Sequence, residues 1–192
     1  YRLAPENKWP AQIEDCLAAW KDFLALGYSA KEVVLMGESA GGTLVLSLAL
    51  YLKGLGMEQP KAVVSFSPVV SQAEHYPSHA ANAKTDYMLR DSVMKGLQEP
   101  VFGKDAAETI LRDPLASPIY GDWTDAAPVF LSASDTEVLL DDSRTLYQKL
   151  KNEGHRTGLD LQHRCCHAFQ VFPGMPEARR SIQNALAFVE EC

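Results

Sequence analysis

The run Val33-Val34-Leu35-Met36 passes through only three residues, Gly37-Glu38-Ser39, into a stretch from Ala40 to Lys53 that is apolar on nearly every side. Four apolar, partly β-branched residues in a row read as a strand covered on both faces. A helix without a polar face must lie against other elements instead of water. Strand, tight turn and buried helix is the unit from which parallel α/β sheets are assembled.

The remaining chain repeats that alternation. From Ala11 to Leu26, Ile13, Cys16, Leu17, Trp20, Phe23 and Leu24 recur at intervals of three and four, Pro10 suits the first turn and Gly27 the stop, so an amphipathic helix is predicted. Ala62–Phe66 and Val129–Ala133 are further continuous strand-like runs, and Leu159–Leu161 is a shorter one. Helices are predicted over Asp141–Glu153, carrying Leu146 and Leu150, and over Pro176–Glu191, carrying Ile182, Leu186 and Val189. The fold class is therefore α/β, a mostly parallel, doubly wound sheet with helices on both faces, whose ligands sit beyond the carboxyl ends of the strands. Between residues 70 and 111 the period is lost over a length too great for a plain connection, and this segment is expected to be a cap-like insertion. Residues 1–192 otherwise read as a single domain.

Acids outnumber bases 25 to 18, a net charge of −7. That balance excludes phosphate-backbone binding, which needs clustered cations, so no nucleic-acid partner is expected. Four cysteines, two of them adjacent at Cys165 and Cys166, do not make a disulfide framework, and a reducing, cytoplasmic setting is expected. No apolar run approaches the roughly 20 residues that span a bilayer. The chain opens on Tyr1 in what reads as the tail of a strand, so it is expected to be an N-terminally truncated fragment whose leader, if it had one, precedes it.

Gly37-Glu38-Ser39-Ala40-Gly41 matches G-x-S-x-G, in which a serine on a strained strand-to-helix turn presents its hydroxyl. Such a match arises by chance in roughly one chain in twenty of this length, so its position between strand and helix is what gives it weight. Glycines two residues either side of the serine are expected to permit close backbone approach. The N–H of Ala40, at the positive end of the helix, is placed to meet a developing oxyanion. A serine nucleophile needs a base, and in this architecture acid and then histidine follow it in the chain. Of five histidines, His75 and His79 fall in the insertion, His155 follows a helix stop and His163 ends a strand, so all four are expected in loops or at the surface. His167 lies in the loop before the last helix, where a parallel sheet presents catalytic groups, and is the expected base. Asp135 and Glu137 both follow the strand Val129–Ala133 and are the candidate acids, while Asp141 and Asp142 are expected to cap the next helix. The run His163-Arg164-Cys165-Cys166-His167 lacks C-x-x-C spacing, so no metal is expected there, and neither cysteine follows a nucleophile turn.

Taken together, Tyr1-Arg2-Leu3-Ala4-Pro5-Glu6, Gly37-Glu38-Ser39-Ala40-Gly41-Gly42, Asp113-Pro114 with Ser117-Pro118, Glu137-Val138-Leu139-Leu140-Asp141-Asp142 and His167-Ala168-Phe169 resemble the hormone-sensitive-lipase family of esterases over nearly the whole chain. The resemblance implies the α/β-hydrolase fold and a serine carboxylesterase without cofactor, acting on short to medium acyl esters. It implies Ser39 as nucleophile, His167 as general base and acid, Glu137 at the acid position with Asp135 as runner-up, and Ala40 as oxyanion donor. It also implies that an HGGG-type loop, absent between Tyr1 and Ser39, belongs to a missing upstream segment. A non-catalytic small-molecule-binding module and an amidase on the same triad are the alternatives. The expected partners are a small-molecule ester and, among proteins, a second copy in a homodimer.

Overall fold

The computed structural model describes every residue except Arg90 and the side chains of residues 91–95 and 97, all within the 70–111 segment. Four strands, β1 (Val34–Glu38), β2 (Ala62–Phe66), β3 (Val129–Ser134) and β4 (Thr157–Gln162), form one sheet in that spatial order with every pairing parallel. Parallel neighbours need long crossovers. Helix α2 (Ala40–Gly54) lies between β1 and β2, and α6 (Leu140–Asn152) between β3 and β4. Helix α1 (Ala11–Ala25) precedes the sheet and α7 (Pro176–Glu190) follows it.

The two faces of the sheet divide the core by alternation along the strands. Val63, Val129 and Leu131 face Leu46, Ala49 and Leu50 of α2 and Leu146 and Leu150 of α6, with Trp123 buried among them. Val64, Phe66 and Phe130 face Ala185, Phe188 and Val189 of α7 on the other side. Because both faces are covered, β2 and β3 are buried at every position, which is why their sequences show no polar alternation. Helix α1 packs on the far flank of α2, bringing Ile13, Leu17 and Trp20 against Leu44, Leu48 and Leu52. Helix α2 is thus apolar all round because it is sandwiched.

Two predicted stripes are narrower than their sequences suggest. Phe23 of α1 is 40% exposed and stacks on Tyr28 instead of entering the core. In α7 the buried line is Ala178, Ser181 and Ala185, and Leu186 is half exposed. Small residues at three- and four-residue spacing let α7 lie close to the sheet, and the side chain beside that line points outward.

The aperiodic stretch after β2 contains helices α3 (Pro77–Ala81), α4 (Asp91–Phe102) and α5 (Glu108–Leu111). Its first part ties down the loop that follows β3. Ser78 Oγ donates to Val138 O at 2.7 Å, Asn82 Nδ2 donates to Glu137 O at 2.8 Å, and Thr85 Oγ1 donates to Thr136 O at 3.0 Å. This arrangement corrects two expectations. His79 is not a surface histidine: it is buried in α3, with Nε2 2.6 Å from Asp142 Oδ2. Asp141 and Asp142 do not cap α6 through their side chains. Asp141 Oδ2 accepts the N–H of Ser78, and fully buried Asp142 accepts the N–H of Val70 while facing His79. A carboxylate taken out of water must find donors, and these override its value as a cap.

Candidate active site

Ser39 connects β1 to α2 with φ 53° and ψ −122°, a conformation of the kind that costs a non-glycine residue about 1–3 kcal/mol and persists only where its surroundings enforce it. Those surroundings are visible. The N–H of Ser39 donates to Phe66 O at 2.9 Å, which anchors the turn to the end of β2. Thr43 holds the other side, its N–H donating to Ser39 O at 3.0 Å and its hydroxyl to Val69 O at 2.7 Å. A Cβ on Gly37 would come within 2.3 Å of Gly41 O, so this glycine is sterically required. Gly41 itself, expected to serve the same purpose, has nothing within 4 Å of where a Cβ would lie. The second close approach belongs to Gly42, whose Cβ would meet Ser65 Oγ at 2.8 Å and Phe66 O at 3.0 Å. Ala40 is the first residue of α2, so its N–H has no carbonyl one turn behind it and stays available beside Ser39.

His167, in the loop after β4, places Nε2 2.9 Å from Ser39 Oγ. Its other ring nitrogen, Nδ1, faces Glu137 Oε1 at 3.7 Å, an ion-pair distance longer than a hydrogen bond. Both atoms are buried and, among the described residues, neither has another partner, so each is the group positioned to satisfy the other. Glu137 is fully buried, and its Oε2 accepts from Ser67 Oγ and from the N–H of Ser134, each at 2.9 Å. Burial pushes the Glu137 carboxyl up, while the His167 imidazole, the Ser134 N–H and the Ser67 hydroxyl pull it back. With Oε2 occupied, Oε1 is left for the imidazole.

Asp135, the other candidate acid, turns away. Its Oδ2 lies 2.5 Å from Nδ1 of His163, which is 76% exposed, and its Oδ1 accepts the N–H of Arg164 at 2.8 Å. Burial alone would raise its carboxyl, but Arg164 and His163 outweigh it and hold the group below the usual aspartate range. His155 is half-buried against Ala127 O, at the opposite end of β3 from these loops. Burial pushes the Cys165 thiol up to about 11 and raises Cys166 as well, so neither tends toward thiolate. Among the described residues no group of three His, Cys, Asp or Glu side chains could hold a metal ion.

Two polar residues bind this constellation and were not singled out from the sequence. Ser67, with φ 47° just past the end of β2, donates to Glu137 and accepts the N–H of Ala168 at 3.3 Å. Asp86, from the stretch between α3 and α4, is 1% exposed and, among the described residues, accepts only backbone N–H groups, that of His167 included. The polar serine just past an apolar strand was a signal for the first; nothing in the local pattern marked the second. Beside Ser39 opens a cavity of about 270 Å³ whose walls include Trp9, Leu44, Val69, Val101 and Phe102, with Gln12 among the polar groups.

Residues 1–171 match a family described as alpha/beta hydrolase fold, and the chain belongs to that family. It is 33% identical over 190 residues to an acetyl-hydrolase of Streptomyces hygroscopicus, covering 98% of this chain and 62% of that protein. It is 31% identical to the esterase LipU of Mycobacterium tuberculosis, covering 100% of this chain and 65% of that protein. A solved structure of an esterase from the bacterial hormone-sensitive lipase family superposes with a TM-score of 0.91 at 32% identity, covering 100% of this chain and 63% of that one. The resemblance drawn from the five sequence blocks therefore recurs in three dimensions. The chain spans 62 to 65% of the length of these relatives. No helix among the described residues is long and apolar enough to cross a membrane.

Proposed function

We propose that this chain carries the catalytic centre of a serine carboxylesterase, with Ser39 as nucleophile, His167 as general base and acid, Glu137 as the carboxylate that orients it, and Ala40 N–H as an oxyanion donor. The observation that supports this most is the 2.9 Å contact of Ser39 Oγ with His167 Nε2 at the head of α2, with Glu137 directly behind the ring. Ser39 Oγ attacks the ester carbonyl carbon while its proton passes to Nε2. Charge collects on the carbonyl oxygen, where the Ala40 N–H and the positive end of α2 favour it. The C–O bond to the alcohol breaks, and the alcohol leaves with the proton from Nε2. Water then attacks the acyl-serine, giving its proton to Nε2, and the acid departs as Ser39 recovers its hydrogen. Throughout, Glu137 keeps Nδ1 protonated, which leaves Nε2 free to accept.

The apolar cavity beside Ser39 suits an acyl chain of short to medium length. Gln72, Leu89, Gln98, Val101 and Phe102 of the 70–111 segment line it, which supports reading that segment as a cap over the site. The cytoplasmic setting remains part of the proposal on the strength of the cysteine usage. The test is hydrolysis of p-nitrophenyl butyrate by wild type, Ser39→Ala and His167→Ala, beside the anilide of the same acid. Turnover of the ester that both substitutions abolish supports the reading. Preference for the anilide turns it into an amidase, and a folded wild type inert to both substrates but able to bind them makes it a binding module.

A further inference from the structure

Asp86 stands outside the three residues of the proposed triad, yet its carboxylate is the point at which their supporting loops meet. It is 1% exposed. Oδ1 accepts the N–H groups of Met88 and Leu89 at 3.0 and 3.1 Å, which closes the turn that Asp86 itself begins. The same oxygen accepts the N–H of His167 at 3.1 Å, and Oδ2 accepts the N–H of Val138 at 2.9 Å. Val138 follows Glu137 in the loop after β3; His167 sits in the loop after β4. A single side chain from the insertion thus bonds the acid loop with one oxygen and the histidine loop with the other. Among the described residues, no second side chain bridges these same two N–H groups.

We propose that Asp86 is a positioning residue that sets the separation between Glu137 and His167, and with it the aim of His167 at Ser39. This rests on the esterase reading above. The physical case is one of rigidity and of acceptor count. The Nδ1 to Oε1 gap of 3.7 Å lies just beyond hydrogen-bond reach, so a small shift of either loop decides whether the imidazole is oriented. Hydrogen bonds to a carboxylate are about twice as strong as those between neutral groups, and in a buried site the carboxylate and its N–H partners cannot exchange one another for water. No other residue type of this size accepts four N–H groups. An asparagine would aim an NH₂ at one of them, setting donor against donor.

The test uses Asp86→Asn and Asp86→Ser in the full chain. Serine still accepts from Met88 and Leu89 as a short turn former but cannot reach Val138 or His167, so it preserves the local turn while releasing the bridge. Expected in p-nitrophenyl butyrate hydrolysis is a fall in kcat of roughly 10- to 100-fold, the range a displacement of up to 1 Å produces, with KM within about twofold. In a Glu137→Ala background the same Asp86→Ser change is expected to cost only a few-fold, because the geometry it supports has already gone. In the wild type, amide hydrogen exchange at His167 and Val138 is expected to be among the slowest in their loops, and this holds the proposal open to refutation should both variants fail to fold. A folded Asp86→Ser protein with unchanged kcat overturns the proposal, as do an undiminished effect in the Glu137→Ala background and rapid exchange at both amides. Loss of the underlying reading looks different: the wild type itself neither turns over ester nor is labelled by a fluorophosphonate.

Discussion

Alanine placed in turn at Gly37, Gly41 and Gly42 separates positions that a G-x-S-x-G motif cannot rank. At Gly37 the added Cβ would stand 2.3 Å from Gly41 O and 2.5 Å from its carbonyl carbon. Reaching an ordinary contact near 3.5 Å means moving backbone by about 1 Å, because neither partner is a side chain that could rotate away. Overpacking of this kind costs about 1–3 kcal/mol, or about 2–12 °C in Tm for a chain of this size. The displaced backbone is the turn that carries Ser39, so kcat is expected to fall about 100-fold. At Gly42 the contacts are Ser65 Oγ at 2.8 Å and Phe66 O at 3.0 Å. The hydroxyl can turn aside, but Phe66 O is the acceptor for the Ser39 N–H, so a smaller loss of stability is expected together with a clear loss of turnover. Beyond its chain neighbours and its own helix, Gly41 meets no described atom within 4 Å of its Cβ position, and it lies in α2 without a left-handed φ. Alanine there is expected to raise Tm by about 1–4 °C, from a helix gain of about 0.5–1 kcal/mol, and to keep turnover within a few-fold. Differential scanning calorimetry and p-nitrophenyl butyrate hydrolysis on the three variants provide the comparison. If Gly41→Ala is as damaging as Gly37→Ala, or Gly37→Ala is harmless, the steric account of this turn is wrong.

Glu137→Gln is expected to reduce turnover about 10⁴-fold, since its amide would donate to Nδ1, shift the proton to Nε2 and leave no acceptor for Ser39. Because burial raises the Glu137 carboxyl, its charge opposes folding above the raised value, so the same variant is expected to match or exceed the wild-type Tm at pH 8; a large fall in Tm contradicts this. His79→Ala leaves the buried Asp142 carboxylate without its partner and is expected to cost about 3–5 kcal/mol, a fall of roughly 6–20 °C in Tm that Asp142→Asn in the same chain should reduce. Asp135→Asn is expected to leave turnover within a few-fold. The Asp135 carboxyl is held low, so its contribution to stability is complete above the usual aspartate range and lost as pH falls through the lower folded value; the variant should show a flatter decline of Tm below about pH 4.

What the sequence showed of this molecule followed local pattern. The strand at Val34–Glu38 and the helix from Ala40 could be read because a short continuous apolar run suits a covered strand and a long one a buried helix, and the turn between them because its glycines and serine are adjacent in the chain. His167 could be placed by its position after a strand. Spacing alone does not separate Glu137 from Asp135, since both follow β3; the family resemblance favours Glu137, and the structure gives the two different partners, Ser67 and Ser134 for one and His163 and Arg164 for the other. The assignment of Gly41 failed because what Gly42 approaches is β2, over 20 residues away in the chain. His79 with Asp142 and Asp86 with His167 join residues 63 and 81 apart, and no periodicity marks such pairs. Asp141 and Asp142 read as caps for the same reason: an aspartate near a helix start looks like a cap until its distant donors are known.

Labelling with a fluorophosphonate followed by peptide mass mapping asks whether Ser39 is the nucleophile and whether His167 activates it. A single phosphonylated site is expected at Ser39, formed rapidly in the wild type and in Asp135→Asn, and slowed by orders of magnitude in His167→Ala and Glu137→Gln. An adduct elsewhere, or labelling of Ser39 at the same rate without His167, would show that this serine is not the activated nucleophile.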